Sequence, residues 1–198
     1  MIIVSFYTPG NYEKVMNSHL RPSLEKWGLK HYIEEVPDLG NWFKNTSFKS
    51  HFMLKCFNEF KEDLCFIDAD GVIEEFPELL FNIPENCDVA AHQLDWEKYW
   101  KGKSGSDHRE FLSGTLFMRY TPEVLDITHD WIEQCENDPG TKEQKILGNL
   151  IDKSTAINFF NLPASYCAII NHSGIIPEYI GKPVITHHQA SRKYKSKH

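Results

Sequence analysis

Apolar runs separated by polar turns predict the secondary structure of this chain. Short, largely apolar runs typical of buried strands lie at Ile2–Tyr7, His31–Val36, Leu64–Ile67, Val89–His92, Leu112–Tyr120 and Val184–Thr186. Apolar residues near helical spacing predict helices over 47–60, over 142–152 and over 11–27, where Pro22 should break or kink the helix. Another helix is expected to begin at Thr121-Pro122, because a capping threonine followed by proline is a favoured helix start.

The alternation of strands and helices predicts an α/β fold with a mostly parallel central sheet and helices on both faces. No linker, repeat or low-complexity segment divides the 198 residues, so we expect a single domain over 1–198. The last residues, about 190–198, are basic and are expected to form a flexible tail. In open sheets of this kind, ligands bind beyond the carboxyl ends of the strands.

Composition and charge exclude several classes of protein. The net charge of −7 disfavours a chain that binds nucleic acid over its whole surface. Five scattered cysteines without a CxxC pair argue against a disulfide framework or a zinc cluster and favour a reducing compartment. No segment approaches the ~18 consecutive apolar residues of a membrane span, and the N-terminal run resembles a strand more than a signal peptide. We therefore expect a cytoplasmic protein without a membrane span.

The chemistry of the chain is concentrated at "CFIDADGV", where the third predicted strand ends on Asp68 and Asp70. A solvated acidic turn would explain the pair without any function. The motif also resembles DxDG[TV], which opens haloacid-dehalogenase phosphohydrolases. That family needs further acidic residues for Mg²⁺, and this chain has no DD pair and no GDxxxD after Gly71. The motif also follows the third strand here, whereas in that family it normally follows the first.

A second resemblance covers most of the chain in order. The chain resembles small GT-A glycosyltransferases of bacterial and phage type, in which a DxD motif ends a central strand of a Rossmann-like domain. The segments that carry the resemblance are "IIVSFYT", "FKSHFMLKCFNEFKEDLCFIDADGVIEEFPELL", "DVAAHQ", "FLSGTLFMRYTPEVLDITHDWIEQCEND", "TKEQKIL", "LPASYCAI" and "KPVITHHQASRKYK". The resemblance implies a single GT-A-like domain that transfers a sugar from a nucleotide-diphosphate donor, a UDP-sugar, with Mn²⁺ or Mg²⁺.

The resemblance also implies roles for individual residues. Asp68 and Asp70 would bind metal and ribose, and Tyr7 and Thr8 would lie near the nucleotide base. A late histidine would complete the metal shell, since imidazole and carboxylate both suit such ions. We expect His187 in this role, because side chains alternate along a strand and His187 and His188 cannot both face inward.

Other candidate binding residues each have a second, structural explanation. Lys49 and Lys55 could meet the diphosphate or be solvated, and His92 could contact the ligand or be packed in the core. Ser113-Gly114-Thr115 could line the donor sugar, since glycine allows close backbone approach. Lys193, with Arg192 and Lys195, could clamp the diphosphate or lie in a loose tail.

Gln144 is a candidate catalytic or sugar-contacting residue together with Glu143. Helix capping alone would explain Gln144, because Thr141-x-x-Gln144 is a complete capping box. No catalytic base is evident from the sequence.

The hypothesis is a metal-dependent glycosyltransferase with Asp68, Asp70 and Gln144 as catalytic residues. The alternatives are a dehalogenase-type phosphohydrolase and a non-catalytic module that binds sugar nucleotides. The acceptor is open: a glycan, a small molecule or a modified base in DNA. Acceptor contacts are expected from the polar loop over 95–110, since such loops vary and carry function.

Overall fold

The computed structural model describes residues 1–99, 109–171 and 173–194. Its strands are β1 (Ile2–Tyr7), β2 (His31–Glu35), β3 (Leu64–Ile67), β4 (Gly71–Ile73), β5 (Val89–Asp95), β6 (Arg109–Met118), β7 (Phe159–Asn161), β8 (Ala168–Ile169) and β9 (Ile185–His187). Its α-helices are α1 (Asn11–Ser18), α2 (Leu20–Lys26), α3 (Trp42–Phe60), α4 (Glu78–Phe81), α5 (Trp96–Tyr99), α6 (Pro122–Asn137), α7 (Glu143–Lys153) and α8 (Ala190–Tyr194). Short 3₁₀ helices cover Ala164–Cys167 and Glu178–Ile180.

The central sheet has six strands in the order β2-β1-β3-β6-β5-β7. The parallel pairs are β1 with β2, β1 with β3, and β5 with β7, whereas β6 runs antiparallel to both β3 and β5. The prediction of a mostly parallel sheet is confirmed, with β6 as the one reversed strand among those described. Because β6 is reversed, its first half lies at the carboxyl end of β3, where Ile67 pairs with Thr115.

A second, three-stranded sheet has the order β4-β9-β8. Strand β4 begins directly after Asp70 and pairs antiparallel with β9, so that Gly71 lies opposite His187. This register brings His187 to the turn formed by Asp68, Ala69 and Asp70, which we call the DxD turn. Backbone pairing between β4 and β9 therefore holds His187 beside the carboxylates.

Two apolar cores lie on opposite faces of the central sheet. On one face, α3, α6 and α7 pack with fully buried Phe52, Phe57, Trp131 and Leu147. On the other face, Met16, Leu20 and Leu24 from α1 and α2 pack with Ile185 of β9. Burial of such side chains contributes about 1.5–3 kcal/mol each, and it fixes the sheet that carries the DxD turn.

Three local predictions are wrong in their details. The helix predicted over 11–27 is two helices broken at His19, and Pro22 lies in the first turn of α2 rather than at the break. The helix predicted from Ser47 begins earlier, at Trp42, because Asn41 caps it by accepting a hydrogen bond from the Lys44 N–H. The loop predicted over 95–110 contains α5 and the start of β6.

Parts of two predicted segments fall outside the described residues. Of the 95–110 loop, residues 100–108 lie there, including "GKSGS". The predicted basic tail forms α8 up to Tyr194, and residues 195–198 lie outside the description. Within the described part of the chain, no helix combines the length and the apolar character needed to cross a membrane.

Candidate active site

Three side chains meet at the carboxyl end of β3. Asp68, Asp70 and His187 each offer one ligand atom, and these atoms lie within 4.8 Å of one another. Two carboxylates and one imidazole match the ligand preferences of Mn²⁺ and similar divalent ions. Among the described residues, Asp68, Asp70 and His187 form a group of His, Cys, Asp or Glu side chains close enough together to hold one metal ion.

Asp70 is held by the segment that follows β9. Its Oδ2 accepts a hydrogen bond from the Ala190 N–H at 2.7 Å, and its backbone oxygen accepts one from the His188 N–H at 3.2 Å. Burial alone would raise the pKa of the Asp70 carboxyl. The hydrogen bonds from His187 and Ala190 outweigh burial and hold that pKa below its usual value. Asp70 is therefore an ionised carboxylate in a fixed position.

The imidazole ring of His187 directs its Nδ1 toward Asp70. Its Nε2 lies 2.9 Å from Thr115 Oγ1, and its Nδ1 lies 3.5 Å from Asp70 Oδ1. Burial would lower the pKa of His187, but contacts with Cys167 and Asp70 outweigh it and raise that pKa well above the ordinary value. A divalent ion would take the place of the Nδ1 proton, because a ligating imidazole must be neutral. The bond to Thr115 would then orient the ring, as partners of metal ligands commonly do.

Gly114 leaves room beside these ligands. A Cβ atom at this position would lie 3.1 Å from His187 Cε1, 3.2 Å from His187 Nδ1 and 3.2 Å from Asp68 Oδ2. The Gly114 carbonyl also accepts a hydrogen bond from the Asp68 N–H at 2.9 Å, so strand β6 passes directly along the cluster. The space that a side chain would fill lies against both ligand atoms, which fits a bound ion.

A buried lysine fixes Asp68 from the other side. Lys49 Nζ on α3 lies 3.1 Å from Asp68 Oδ1 and 3.2 Å from Glu143 Oε1, and it donates to Ser113 Oγ at 2.9 Å. Burial alone would lower the pKa of Lys49. The Asp68 and Glu143 carboxylates outweigh burial and hold that pKa above its usual value, so the ammonium group stays charged. The network ties α3, β3, β6 and α7 together at the edge of the sheet.

Glu143 is the most enclosed carboxyl of this network. It is 5% exposed, and Ser113 Oγ donates to its Oε1 at 2.7 Å. Burial raises the pKa of Glu143, although Lys49 and Ser113 lower it. Its other oxygen, Oε2, is buried and has no hydrogen-bond partner within the part of the chain that the structure describes. A buried acceptor without a donor is costly in free energy, which makes Oε2 a candidate ligand contact.

Two cavities meet at this cluster, since Asp68 and Asp70 line both. The β6 cavity, of about 370 Å³, is lined by Gly114, Glu143, His187 and other side chains of β5, β6 and α7. The β1 cavity, of about 300 Å³, is lined by Phe6, Tyr7, Thr8 and side chains of α1 and α3. Both volumes lie near the lower end of the range for small-molecule sites. The residues shared by both cavities are Trp42, Thr46, Lys49, Asp68, Asp70 and Ser191.

Most of the residues predicted for the site lie in the cluster, in the walls of the two cavities or in the Lys49 network. Tyr7 and Thr8 line the β1 cavity. Gly114 lines the β6 cavity, and Ser113 lies behind it, bonded to Lys49 and Glu143. Lys55 is not brought to the cluster, because it forms an ion pair with Glu34 instead.

His92 and Lys193 lie apart from the described walls of both cavities. His92 is buried, with Nδ1 2.8 Å from the Leu162 carbonyl, and burial lowers its pKa. Lys193 is exposed on α8, with its Nζ 5.1 Å from the Tyr194 ring centroid. Its neighbour Arg192 lines the β6 cavity.

The capping box predicted for Thr141 and Gln144 is wrong. The N-cap residue of α7 is Lys142, whose side chain makes no capping hydrogen bond among the described residues. Gln144 Nε2 instead donates to Glu110 Oε1 at 2.6 Å, and Lys142 Nζ pairs with the same oxygen at 3.0 Å. Gln144 therefore faces the β6 cavity, which Glu110 also lines.

Several cavity residues escaped the sequence analysis. Tyr12 lines the β1 cavity, and burial together with Asp70 and Asp68 raises its pKa to about 12, so it stays a protonated phenol. Asp38 lines the same cavity, with Oδ1 accepting from the Gly40 N–H and from Asn45. A signal for Asp38 was present, since "PDLGNW" is rich in turn-forming residues after a strand.

Comparison with known proteins finds similarity only in structure. No protein-family model and no curated protein matches this sequence. The fold resembles that of a glycosyltransferase involved in the glycosylation of the major capsid of PBCV-1, with a TM-score of 0.67 and 16% identity over 95% of this chain and 92% of that one.

Other glycosyltransferases are similar to a lesser degree. Mouse xyloside xylosyltransferase 1 aligns with a TM-score of 0.57 and 11% identity, covering 96% of this chain and 99% of that one. The galactosyltransferase LgtC, solved with donor and acceptor sugar analogs, aligns with a TM-score of 0.57 and 13% identity, covering 96% and 87%.

Proposed function

The chain has the fold of GT-A-type glycosyltransferases, and we propose that it is a metal-dependent enzyme of this kind. It transfers a sugar from a nucleotide-diphosphate donor, a UDP-sugar, to an acceptor. The observation that carries the proposal is the Asp68, Asp70 and His187 cluster at the junction of two cavities. A nucleotide in one cavity and a sugar in the other would place the diphosphate beside this cluster.

The β1 cavity suits the nucleoside. It combines an aromatic wall of Phe6, Tyr7 and Tyr12 with the polar groups of Asp38 and Asn45. A planar base can lie against such a wall, while its edge finds hydrogen-bond partners. Thr8, at the end of β1, lies where ligands of open α/β sheets bind.

Asp68, Asp70 and His187 would hold Mn²⁺ or Mg²⁺ at the junction. The ion would offset the charge of the diphosphate and stabilise the leaving nucleotide as a Lewis acid. The chain's own part is to hold these ligands in place: Lys49 fixes Asp68, Ala190 fixes Asp70 and Thr115 fixes His187.

The β6 cavity would receive the sugar. The Lys49–Glu143–Ser113 network orients the Glu143 carboxyl, whose unpaired Oε2 can accept a hydrogen bond from a sugar hydroxyl. Gln144 and Glu110 lie on the same wall. The apolar side chains of Leu94, Leu112 and Ile169 offer contacts for the C–H faces of a sugar ring.

Turnover of the donor tests this function. The protein is incubated with a panel of UDP-sugars and Mn²⁺, and release of UDP is measured with water as the acceptor. We expect release by the parent and loss of at least tenfold of it in Asp70→Asn. Asp130→Asn, an exposed change on α6, is the matched control and should behave as the parent.

Two other outcomes identify the alternatives. Phosphate release from a generic phosphomonoester, without UDP release, would indicate a dehalogenase-type phosphohydrolase, a class that the structural comparisons do not favour. Tight binding of UDP-sugars without turnover would indicate a binding module.

A further inference from the structure

Gln189 has an unusual backbone conformation. Its φ is +50°, and among the described residues Lys61 is the one other non-glycine residue with positive φ. Lys61 ends helix α3, where left-handed geometry is common. At Gln189 the turn from β9 to α8 directs the Ala190 N–H onto Asp70 Oδ2. This turn explains the backbone, but glycine or asparagine would adopt it with less strain.

The side chain of Gln189 is not explained by the turn. Its Oε1 is buried and has no hydrogen-bond partner among the described residues, and Gln189 lines the β6 cavity. Burying an acceptor without a donor costs free energy, and so does placing a long side chain in left-handed geometry. Gln189 has both of these unfavourable features and lies beside the cluster. We infer that its Oε1 forms a hydrogen bond only when a ligand is bound.

We propose that Gln189 is a sugar-binding residue whose Oε1 accepts a hydrogen bond from a hydroxyl group of the donor sugar. The inference rests on the proposed function. Gln189 lies two residues after His187, next to the residue that fixes Asp70, and so close to the point where the sugar joins the diphosphate. Gln189 thereby helps determine which sugar the enzyme accepts.

The unpaired hydrogen-bond acceptor atoms in the β6 cavity indicate the chemical class of the ligand. Glu143 and Gln189 both line it, and neither Glu143 Oε2 nor Gln189 Oε1 has a hydrogen-bond donor in the described ranges of the chain. A ligand that satisfies both must bring at least two hydrogen-bond donors, and the side chains of Leu94, Leu112 and Ile169 on the wall favour a ligand that also has apolar faces. A pyranose, with several hydroxyl groups and C–H faces, meets both conditions. The alternative is that ordered water donates hydrogen bonds to these two oxygens and that neither residue binds a sugar.

The test uses a substitution that keeps size and backbone strain. Gln189→Met removes the acceptor, and methionine is no better suited than glutamine to positive φ. Gln134→Met, on the exposed side of α6, is the matched control. Each protein is titrated with UDP and with a panel of UDP-sugars in Mn²⁺, and its thermal unfolding is recorded without ligand.

We expect Gln189→Met to unfold at or above the parent's temperature, because a buried unpaired acceptor is removed. Its affinity for UDP should stay within about twofold, while the affinity for the best-bound UDP-sugar relative to UDP falls about tenfold, as for a lost hydrogen bond to a sugar hydroxyl. Gln134→Met should match the parent in both.

Three outcomes overturn the inference. If the parent binds a UDP-sugar and Gln189→Met has the same affinity for it relative to UDP, water satisfies the Gln189 oxygen and Gln189 does not contact the sugar. If Gln189→Met unfolds well below the parent, the amide has a structural role. If the parent binds neither UDP nor any UDP-sugar, the proposed function itself fails, and the inference fails with it.

Discussion

Replacing Gly114 with alanine tests the metal cluster with the smallest possible change. The added methyl group would lie 3.1 Å from His187 Cε1 and 3.2 Å from both His187 Nδ1 and Asp68 Oδ2. The backbone of Gly114 does not have positive φ, so alanine fits it without strain. The substitution therefore acts on the space between the two ligands.

The expected magnitude follows from these distances. The neighbours of the methyl group must move by a few tenths of an ångström, whereas metal–ligand distances tolerate about 0.2 Å. We expect Mn²⁺-dependent UDP affinity to fall about 10–100-fold, the range for disturbed metal-site partners. Alanine gains about 0.4–1 kcal/mol from the less flexible unfolded chain, which offsets the close contacts, so stability should change by about 1 kcal/mol or less.

The assay is calorimetric titration of UDP with and without Mn²⁺, together with urea unfolding. Gly140→Ala is the matched control, since a Cβ there meets nothing within 4 Å; it should bind UDP as the parent does and gain about 0.4–1 kcal/mol of stability. If Gly114→Ala binds UDP in Mn²⁺ as tightly as the parent, no ion lies between Asp68 and His187 and the reasoning is refuted. A large loss of stability would instead show that Gly114 is needed for packing.

The remaining predictions concern single side chains of the site. Asp70→Asn should lower UDP release at least tenfold while the protein still folds, and normal turnover would show that the acidic turn is only solvated. His187→Ala should weaken Mn²⁺-dependent UDP binding about tenfold or more, whereas His188→Ala, one residue outside the cluster, should be close to neutral; equal effects would contradict the assignment. Lys49→Met should lower the free energy of unfolding by about 3–5 kcal/mol, because it leaves the buried Glu143 carboxyl without its cation, and urea unfolding would show it.

The sequence predicted those features that depend on local pattern. Strand β3 has the predicted bounds, Leu64–Ile67, and it ends on the carboxylate pair. Helix α6 begins as predicted, with Thr121 accepting a hydrogen bond from the Val124 N–H and Pro122 in the first turn. In both cases the deciding interactions lie within a few residues along the chain, so residue type and spacing are sufficient.

The features that escaped prediction depend on distant parts of the chain. Thr141 and Gln144 have the spacing of a capping box, yet Gln144 bonds to Glu110, 34 residues away. The turn after β9 is held by the hydrogen bond from the Ala190 N–H to Asp70, which lies 120 residues earlier in the chain. The oxygen of Gln189, in the same turn, is buried and has no hydrogen-bond partner among the described residues. A long-range contact outweighs a weak local preference here, and sequence spacing contains no signal for it.

Metal dependence of nucleotide binding tests the central claim most directly. UDP is titrated into the protein by calorimetry, once in Mn²⁺ and once in EDTA. Two carboxylates beside the diphosphate repel it unless an ion lies between them, so we expect measurable binding in Mn²⁺ and at least a tenfold weaker affinity in EDTA. Equal affinity in both would contradict the account, because UDP would then bind without an ion held by Asp68, Asp70 and His187.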